Sequence, residues 1–263
     1  MTESILTESR SGDVTTLTLN SPGTLNALSE AMIGALQETL LRIAESSARV
    51  VILKGEGRAF CAGHDLREMQ GYRAHADGGR AAYQALLSRC TQMMESIRRL
   101  PQPVIAQVHG IATAAGCQLV ATCDLAIAAE ETKFGVNGVN IGLFCSTPMV
   151  ALSRNIPRKQ AFEMLATGSF IPAARAAELG LINRAVPAAT LEAEVQTMAA
   201  TLAAKLPAAL RIGKAAFYTQ IEQPIAEAWA TGSAAITENL MEPQTAEGMQ
   251  AFLEKRAMPW DQS

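Results

Sequence analysis

The sequence predicts an α/β fold with a helical C-terminal third, and three observations carry that prediction. In residues 104–129, VIAQVHGIATAAGCQLVATCDLAIAA, an apolar run of strand length ends at Gly110; a small-residue turn, 111–116, and a helix starting at Cys117 follow. Strand-like and helix-like patterns alternate along the first 187 residues. From Ala188 onward nearly every apolar spacing is helical.

In chain order, residues 14–19 (VTTLTL) alternate apolar and polar as a half-buried strand does, and Asn20-Ser21-Pro22-Gly23 turn it. Ser29 caps a helix whose apolar face is Met32, Leu36, Leu40 and Ile43. Residues 50–53 read as a buried strand, and 55–65, which contain Arg58-Ala59-Phe60-Cys61-Ala62-Gly63-His64-Asp65, as a loop. A helical face runs from Tyr83 through Leu87, Cys90, Met94 and Ile97 until Pro101 stops it. A further strand is expected at 124–128 and a glycine-punctuated run at 134–148. Short helices at 158–167 and 172–178 and a strand at 181–186 complete this part. Beyond it, Leu191, Val195, Met198 and Leu202 mark one helix, and Leu210, Phe217 and Ile221 a second beginning at Pro207. Ile225, Trp229, Ile236 and Leu240 mark a third, and 247–256 a last.

The central turn has a chemical implication. A helix that follows strand and tight turn leaves backbone N–H groups free at its N-terminus. Ala114, Ala115 and Gly116 carry almost no side chain, so a ligand atom could approach that backbone closely. Such a place suits an anion or a developing oxyanion; equally, small residues let helix and strand pack closely.

Composition bounds the classes. A net charge of −3 over 263 residues, without a basic run or tail, argues against nucleic-acid and anionic-membrane partners. No stretch reaches the ~20 apolar residues that span a bilayer, and the polar start lacks the pattern of a signal peptide. Five scattered cysteines without a C-x-x-C pair suggest reduced thiols, a cytoplasmic location and no metal. G-x-x-x-x-G-K-[ST], G-x-G-x-x-G and G-x-S-x-G are all missing from the sequence.

The segment RAFCAGHDLREM, then HGIATAAGCQLVATCDLAIAAE, then KFG, resembles the crotonase superfamily, the enoyl-CoA hydratase/isomerase family. LNALSEAM, AARAAELGLINRAVP and EGMQAFLEKR match in the same order, so the resemblance covers essentially the whole chain. FGVNGVN and LFCSTP are similar to its enoyl-CoA hydratase domain-containing members. The resemblance implies a crotonase-like ββα spiral core with an acyl-CoA site in 1–187. It implies a helical oligomerisation region in 188–263 and assembly as a homotrimer or homohexamer. Coenzyme A enters as the substrate's thioester, with no separate cofactor. It also implies that the backbone N–H groups of His64 and Ala115 hold the thioester carbonyl oxygen. Preorganised donors of that kind stabilise an enolate.

The sequence departs from the hydratase pattern at the two positions where that resemblance places catalytic glutamates, which here are Gln118 and Gly138. An amide cannot exchange a proton near neutral pH and glycine has no side chain. Ordinary hydration is therefore not expected, and Gln118→Glu with Gly138→Glu is expected to create it unless Gly138 has a positive φ. Asp65, Glu68, Asn137, Asn140, Cys145 and Ser146 are the possible substitutes, although for Asp65 and Glu68 the reading as turn or surface carboxylates is favoured. FCAGHDL and VNIGLFC resemble the methylmalonyl-CoA decarboxylase branch, whose reaction needs no base to start; Cys145 stands where that branch has tyrosine. For coenzyme A, the resemblance implies the backbone at Ala62, Gly63 and Gly116, with Phe252 and Lys255 from a neighbouring subunit. Arg67 is a candidate for the lysine that Gly23 replaces. An acyl-CoA catalyst, a non-catalytic CoA-ester binding protein and a structural interaction protein all remain open.

Overall fold

The computed structural model describes residues 4–262. Strand β1 is Leu6–Ser11, β2 Val14–Leu19, helix α1 Glu30–Ala44, β3 Val50–Gly55, α2 Leu66–Tyr72 and α3 Arg80–Arg99. Then come β4 Val104–Val108, β5 Ile111–Thr113, α4 Ala115–Thr122, β6 Leu125–Ala129 and β7 Lys133–Gly135. Helices α5 Pro148–Asn155 and α6 Arg158–Thr167 precede β8 Ile171–Pro172, α7 Ala173–Leu179 and β9 Arg184–Val186. The C-terminal helices are α8 Leu191–Ala203, α9 Pro207–Gln220, α10 Ile225–Met241 and α11 Pro243–Leu253.

The larger sheet has the order β1-β2-β3-β4-β6-β9, parallel except for β1, which forms an antiparallel hairpin with β2. The smaller sheet has the order β5-β7-β8. Single bridges extend its wall: Leu28 pairs with His64, and Cys61 with Ala112. Each coil of the chain thus gives one strand to the large sheet, one short segment to the small wall, and then a helix or turn. That arrangement is the expected ββα spiral. It sets the Cys61–His64 segment directly beside the segment leading into α4.

Local chemistry explains the elements. Ser29 Oγ accepts from Met32 N–H at 3.1 Å to cap α1, whose Met32, Ile33, Leu36, Leu40 and Ile43 are buried. Strands β3 and β4 are apolar on both faces because each face is covered. One face meets the main core; the other, with Val50, Ile52, Ile105 and Ile127, meets Leu191, Val195 and Ala199 of α8. Helix α8 thus packs on the sheet, whereas α9 to α11 lie further out. Helix α9 is tied back by Lys214, whose Nζ donates to Asp124 Oδ2 at 2.7 Å and to the carbonyls of Ile97 and Gln102. Asp124 also accepts from Tyr218 O–H and Val104 N–H.

Differences from the sequence reading are local. Residues 111–113, expected as turn, form β5 because Ile111, Ala112 and Thr113 pair with Lys133, Phe134 and Gly135. Helix α4 begins at Ala115, not Cys117, because Ala114 takes φ 50° and ψ −121° and redirects the chain there. Helix α5 begins at Pro148, the last residue of the run read as loop, and covers 149–155, to which the sequence reading gave no element.

Candidate active site

The site is assembled from the Cys61–His64 segment and the start of α4. Thr113 N–H donates to Cys61 O at 3.0 Å, and Cys61 N–H donates to Ile111 O at 3.2 Å. Gly63 has φ +91°, and a Cβ there would stand 2.9 Å from Ala114 Cβ and 3.1 Å from Ala115 N. A Cβ on Gly116 would stand 2.2 Å from Cys61 O. Both glycines are thus required by the contact between the two segments. The N–H of Ala115 opens α4 and has no intrahelical acceptor. Leu28 N–H donates to Gly63 O at 2.7 Å to make the neighbouring bridge, which leaves His64 N–H unpaired among the described residues. Two backbone donors, at His64 and Ala115, are thereby left unused on adjoining segments.

Strain and support accompany them. Ala114 is a non-glycine residue at positive φ, a conformation that costs of order 1–3 kcal/mol and persists only where its surroundings impose it. Its N–H donates to Gly135 O at 2.9 Å, and Thr113 Oγ1 donates to Asn137 Oδ1 at 2.6 Å. Across the segment, Ala62 N–H donates to Leu25 O at 3.0 Å. Leu25 and Asn26 both have positive φ. Fully buried Asn26 donates to Glu56 O and Ala59 O and accepts from Ser21 N–H, so one amide holds three stretches of backbone in place. Sequence reasoning took Asn26 only as part of LNALSEAM; an asparagine in a turn between apolar positions is its visible signal.

Gln118 and Gly138 are two further positions that the sequence singles out. Gln118 lies in the first turns of α4, 7 % exposed, and its Oε1 has no hydrogen-bond partner. Gly138 does not have a positive φ; space is what excludes a side chain there. A Cβ would stand 2.4 Å from Leu143 O and 2.8 Å from Cys145 Sγ. Burial raises the Cys145 thiol above its usual pKa, so it is protonated near neutrality and is neither a base nor a ready nucleophile. Burial raises Cys117, in the same helix turn as Gln118, to about 12. His64 Nε2 is buried without a partner, and desolvation lowers the imidazole's pKa, leaving it neutral.

Other sequence candidates fall into place around this geometry. Asp65 caps α2, accepting from Arg67 N–H at 2.8 Å and Glu68 N–H, and Glu68 accepts from Glu30 N–H at the start of α1. Both carboxylates are engaged in holding helix starts. Asn140 donates to Gly168 O, and exposed Ser146 to Phe144 O. Ala62 is half-buried in the segment, while Arg67 is exposed on α2. Phe252, 72 % exposed, and Lys255, at φ 55°, lie at the end of α11. Phe252 there lines an apolar cavity of about 470 Å³ together with Leu206, Met249, Leu253 and Trp260. One chain does not bring these two residues to the His64–Ala115 segments through its own packing, since α11 rests chiefly on α10 and the C-terminal turn.

A strained helix start faces a glycine-bearing segment within a spiral of short strands, and two backbone N–H groups there lack acceptors among the described residues. Residues 9–263 match the family model described as enoyl-CoA hydratase/isomerase. The chain belongs to that family. It is 42 % identical over 257 residues to the rat (Rattus norvegicus) protein named "Enoyl-CoA hydratase domain-containing protein 3, mitochondrial", a match spanning 97 % of this chain and 84 % of the relative. Among solved structures, an enoyl-CoA hydratase of Mycobacterium smegmatis superposes with a TM-score of 0.94 at 53 % identity, covering 98 % of this chain and 99 % of that one. The human enoyl-CoA hydratase domain-containing protein 3 does so with a TM-score of 0.93 at 41 % identity, covering 98 % and 100 %.

Proposed function

We propose that the chain binds acyl-CoA thioesters and stabilises the thioester enolate with the backbone N–H groups of His64 and Ala115. The observation that carries this reading is the pair of unused N–H donors set side by side by Gly63 and the turn at Ala114. Enolate formation moves negative charge onto the thioester oxygen, where one preorganised donor is worth about 3–4 kcal/mol. The close contact of the segments through Gly63 and Gly116 is what sets the two N–H groups beside each other. Neither Gln118 nor Gly138 moves a proton, and Cys145 stays a thiol, so hydration of an enoyl thioester is not the reaction. Expulsion of CO₂ from a malonyl-type thioester, which needs no base to start, is the second reading; the side chain missing at Gly138 favours it.

Assembly belongs to the same reading. Ile225, Trp229, Ile236, Leu240 and Met241 of α10 are all more than 45 % exposed, as are Phe217 and Ile221 of α9. Such a surface suits a neighbouring copy in a trimer or hexamer, which would bring Phe252 and Lys255 to coenzyme A. The test incubates the protein with a panel of CoA thioesters, malonyl and methylmalonyl included, and follows them by mass spectrometry, with thermal shift on acetyl-CoA. Stabilisation by acetyl-CoA with little hydration of crotonyl-CoA is expected. Crotonyl-CoA turnover on the order of 10 s⁻¹ would overturn the reading. Light scattering that shows a monomer at micromolar concentration would remove the assembly.

A further inference from the structure

Asn26 is fully buried, yet its bonds converge on the segment that carries the His64 N–H. Its Nδ2 donates to Glu56 O and to Ala59 O, at 2.8 Å each, and its Oδ1 accepts from Ser21 N–H at 2.9 Å. Both amide hydrogens are thereby spent on backbone carbonyls. The residues on either side continue the contact: Leu25 O accepts from Ala62 N–H at 3.0 Å, and Leu28 N–H donates to Gly63 O at 2.7 Å. Residues 25–28 therefore hold the segment at Ala59, Ala62 and Gly63, and the next backbone donor along it is His64 N–H. This hold is strained. Leu25 and Asn26 sit at φ 56° and 55°, a region costly for non-glycine residues and best tolerated by residues such as asparagine. A Cβ on Gly55 would stand 2.8 Å from Asn26 Nδ2, so the end of β3 also gives way to this amide.

The geometry links the amide to the donor in two steps. In a planar trans peptide the N–H points opposite to the C=O, so the bond from Leu28 N–H to Gly63 O also fixes the direction of His64 N–H. Leu28 in turn follows the left-handed turn at Leu25 and Asn26, which the Asn26 amide pins to Glu56 and Ala59. We infer that Asn26 is a positioning residue: without touching the ligand, its amide aims the His64 N–H and so sets how strongly a bound thioester carbonyl is polarised. This rests on the acyl-CoA reading of the site. A hydrogen bond weakens steeply as its donor angle closes, so a small rotation of this peptide costs polarisation while the rest of the ligand stays bound. An asparagine of merely structural value would change the melting temperature and leave the bound carbonyl as it is.

The experiment records the absorbance of hexadienoyl-CoA bound to the full-length protein, a conjugated thioester whose band moves to longer wavelength when donors draw charge onto its oxygen. Wild type is expected to show that shift. Asn26→Asp keeps the size and the acceptor for Ser21 N–H but loses both donors, and at saturating ligand it should lose about half of the shift, one of two donors being misaimed. Asn26→Gly adopts φ 55° without strain, removes the amide and should lose as much. Ile43→Val, on the buried face of α1, should lower the melting temperature and keep the full shift. A full shift in either folded Asn26 variant, a loss in Ile43→Val, or failure of both Asn26 variants to fold would overturn the inference. Wild type that binds hexadienoyl-CoA without any shift would overturn the reading of His64 and Ala115 as donors, and wild type that does not bind it would overturn the acyl-CoA reading. A wild-type shift that the Asn26 variants retain removes this inference alone.

Discussion

Gly138→Ala isolates the steric reason that this position carries no side chain. The alanine Cβ would stand 2.4 Å from Leu143 O and 2.8 Å from Cys145 Sγ, both inside van der Waals contact. The sulfur can turn away, but the carbonyl cannot, because Leu143 N–H donates to Gly138 O at 2.9 Å and closes the loop on itself. Overpacking of this kind costs about 1–3 kcal/mol. In a domain of this size that lowers the melting temperature by roughly 2–12 °C, at about 2–4 °C per kcal/mol. A glutamate adds bulk to the same clash. The structure therefore reverses the expectation from sequence: Gln118→Glu with Gly138→Glu should melt lower and still leave crotonyl-CoA hydration near background. Circular-dichroism melts of Gly138→Ala and a hydration assay of the double variant check the two halves. A Gly138→Ala melt superimposable on wild type, together with hydration by the double variant on the order of 10 s⁻¹, would show that the loop yields and that the argument from space is wrong.

Gly63→Ala forces a Cβ to 2.9 Å from Ala114 Cβ at φ +91° and pushes the two segments apart; it should abolish the thermal shift given by acetyl-CoA. Lys214→Met leaves the Asp124 carboxylate with only Tyr218 O–H and Val104 N–H, and urea unfolding should read a loss of about 3–5 kcal/mol, the cost of breaking a buried pair. The two side chains are 8 % and 14 % exposed, so solvent screens that charge little. Burial sets the His64 pKa below the ordinary imidazole value, so the unfolded chain takes up a proton first as pH falls. Stability should therefore be fully present above about pH 6.5 and decline below it, a slope that His64→Gln should reduce in melts recorded from pH 7.5 to 5.

The chain's own sequence shows those parts of the fold that are decided locally. Residues 14–19 form a strand with the expected bounds because their alternation turns Leu17 and Leu19 into the main core and Val14 towards α8, and Ser29 caps α1 through its own hydroxyl. The 158–167 helix is equally legible, bounded by Pro157 and Gly168. What stays hidden are elements made by partners distant in sequence. Residues 111–113 and 133–135 are each too short to propagate alone and exist because they pair with one another. Cys61 and His64 join that wall through one bridge apiece, which no periodicity reveals.

The site divides along the same line. Small residues at Ala114, Ala115 and Gly116 announce a close backbone approach, but not that Ala114 itself would carry the strain, since alanine is an ordinary helix former. Asp65 and Glu68 show the reverse: as acids beside a ligand loop they suggest proton transfer, and only the geometry shows both bound to backbone N–H groups at helix starts. The glycine at 138 is the sharpest case. In sequence it is only a missing side chain, whereas in space Leu143 O and Cys145 Sγ occupy the place where one would begin. A side chain at 138 therefore needs the loop to open as well, which a single substitution to glutamate does not supply. What the structure leaves beside that loop and helix start are two backbone N–H groups without acceptors among the described residues, at His64 and Ala115, and the buried amide of Gln118, whose Oε1 has no partner there either.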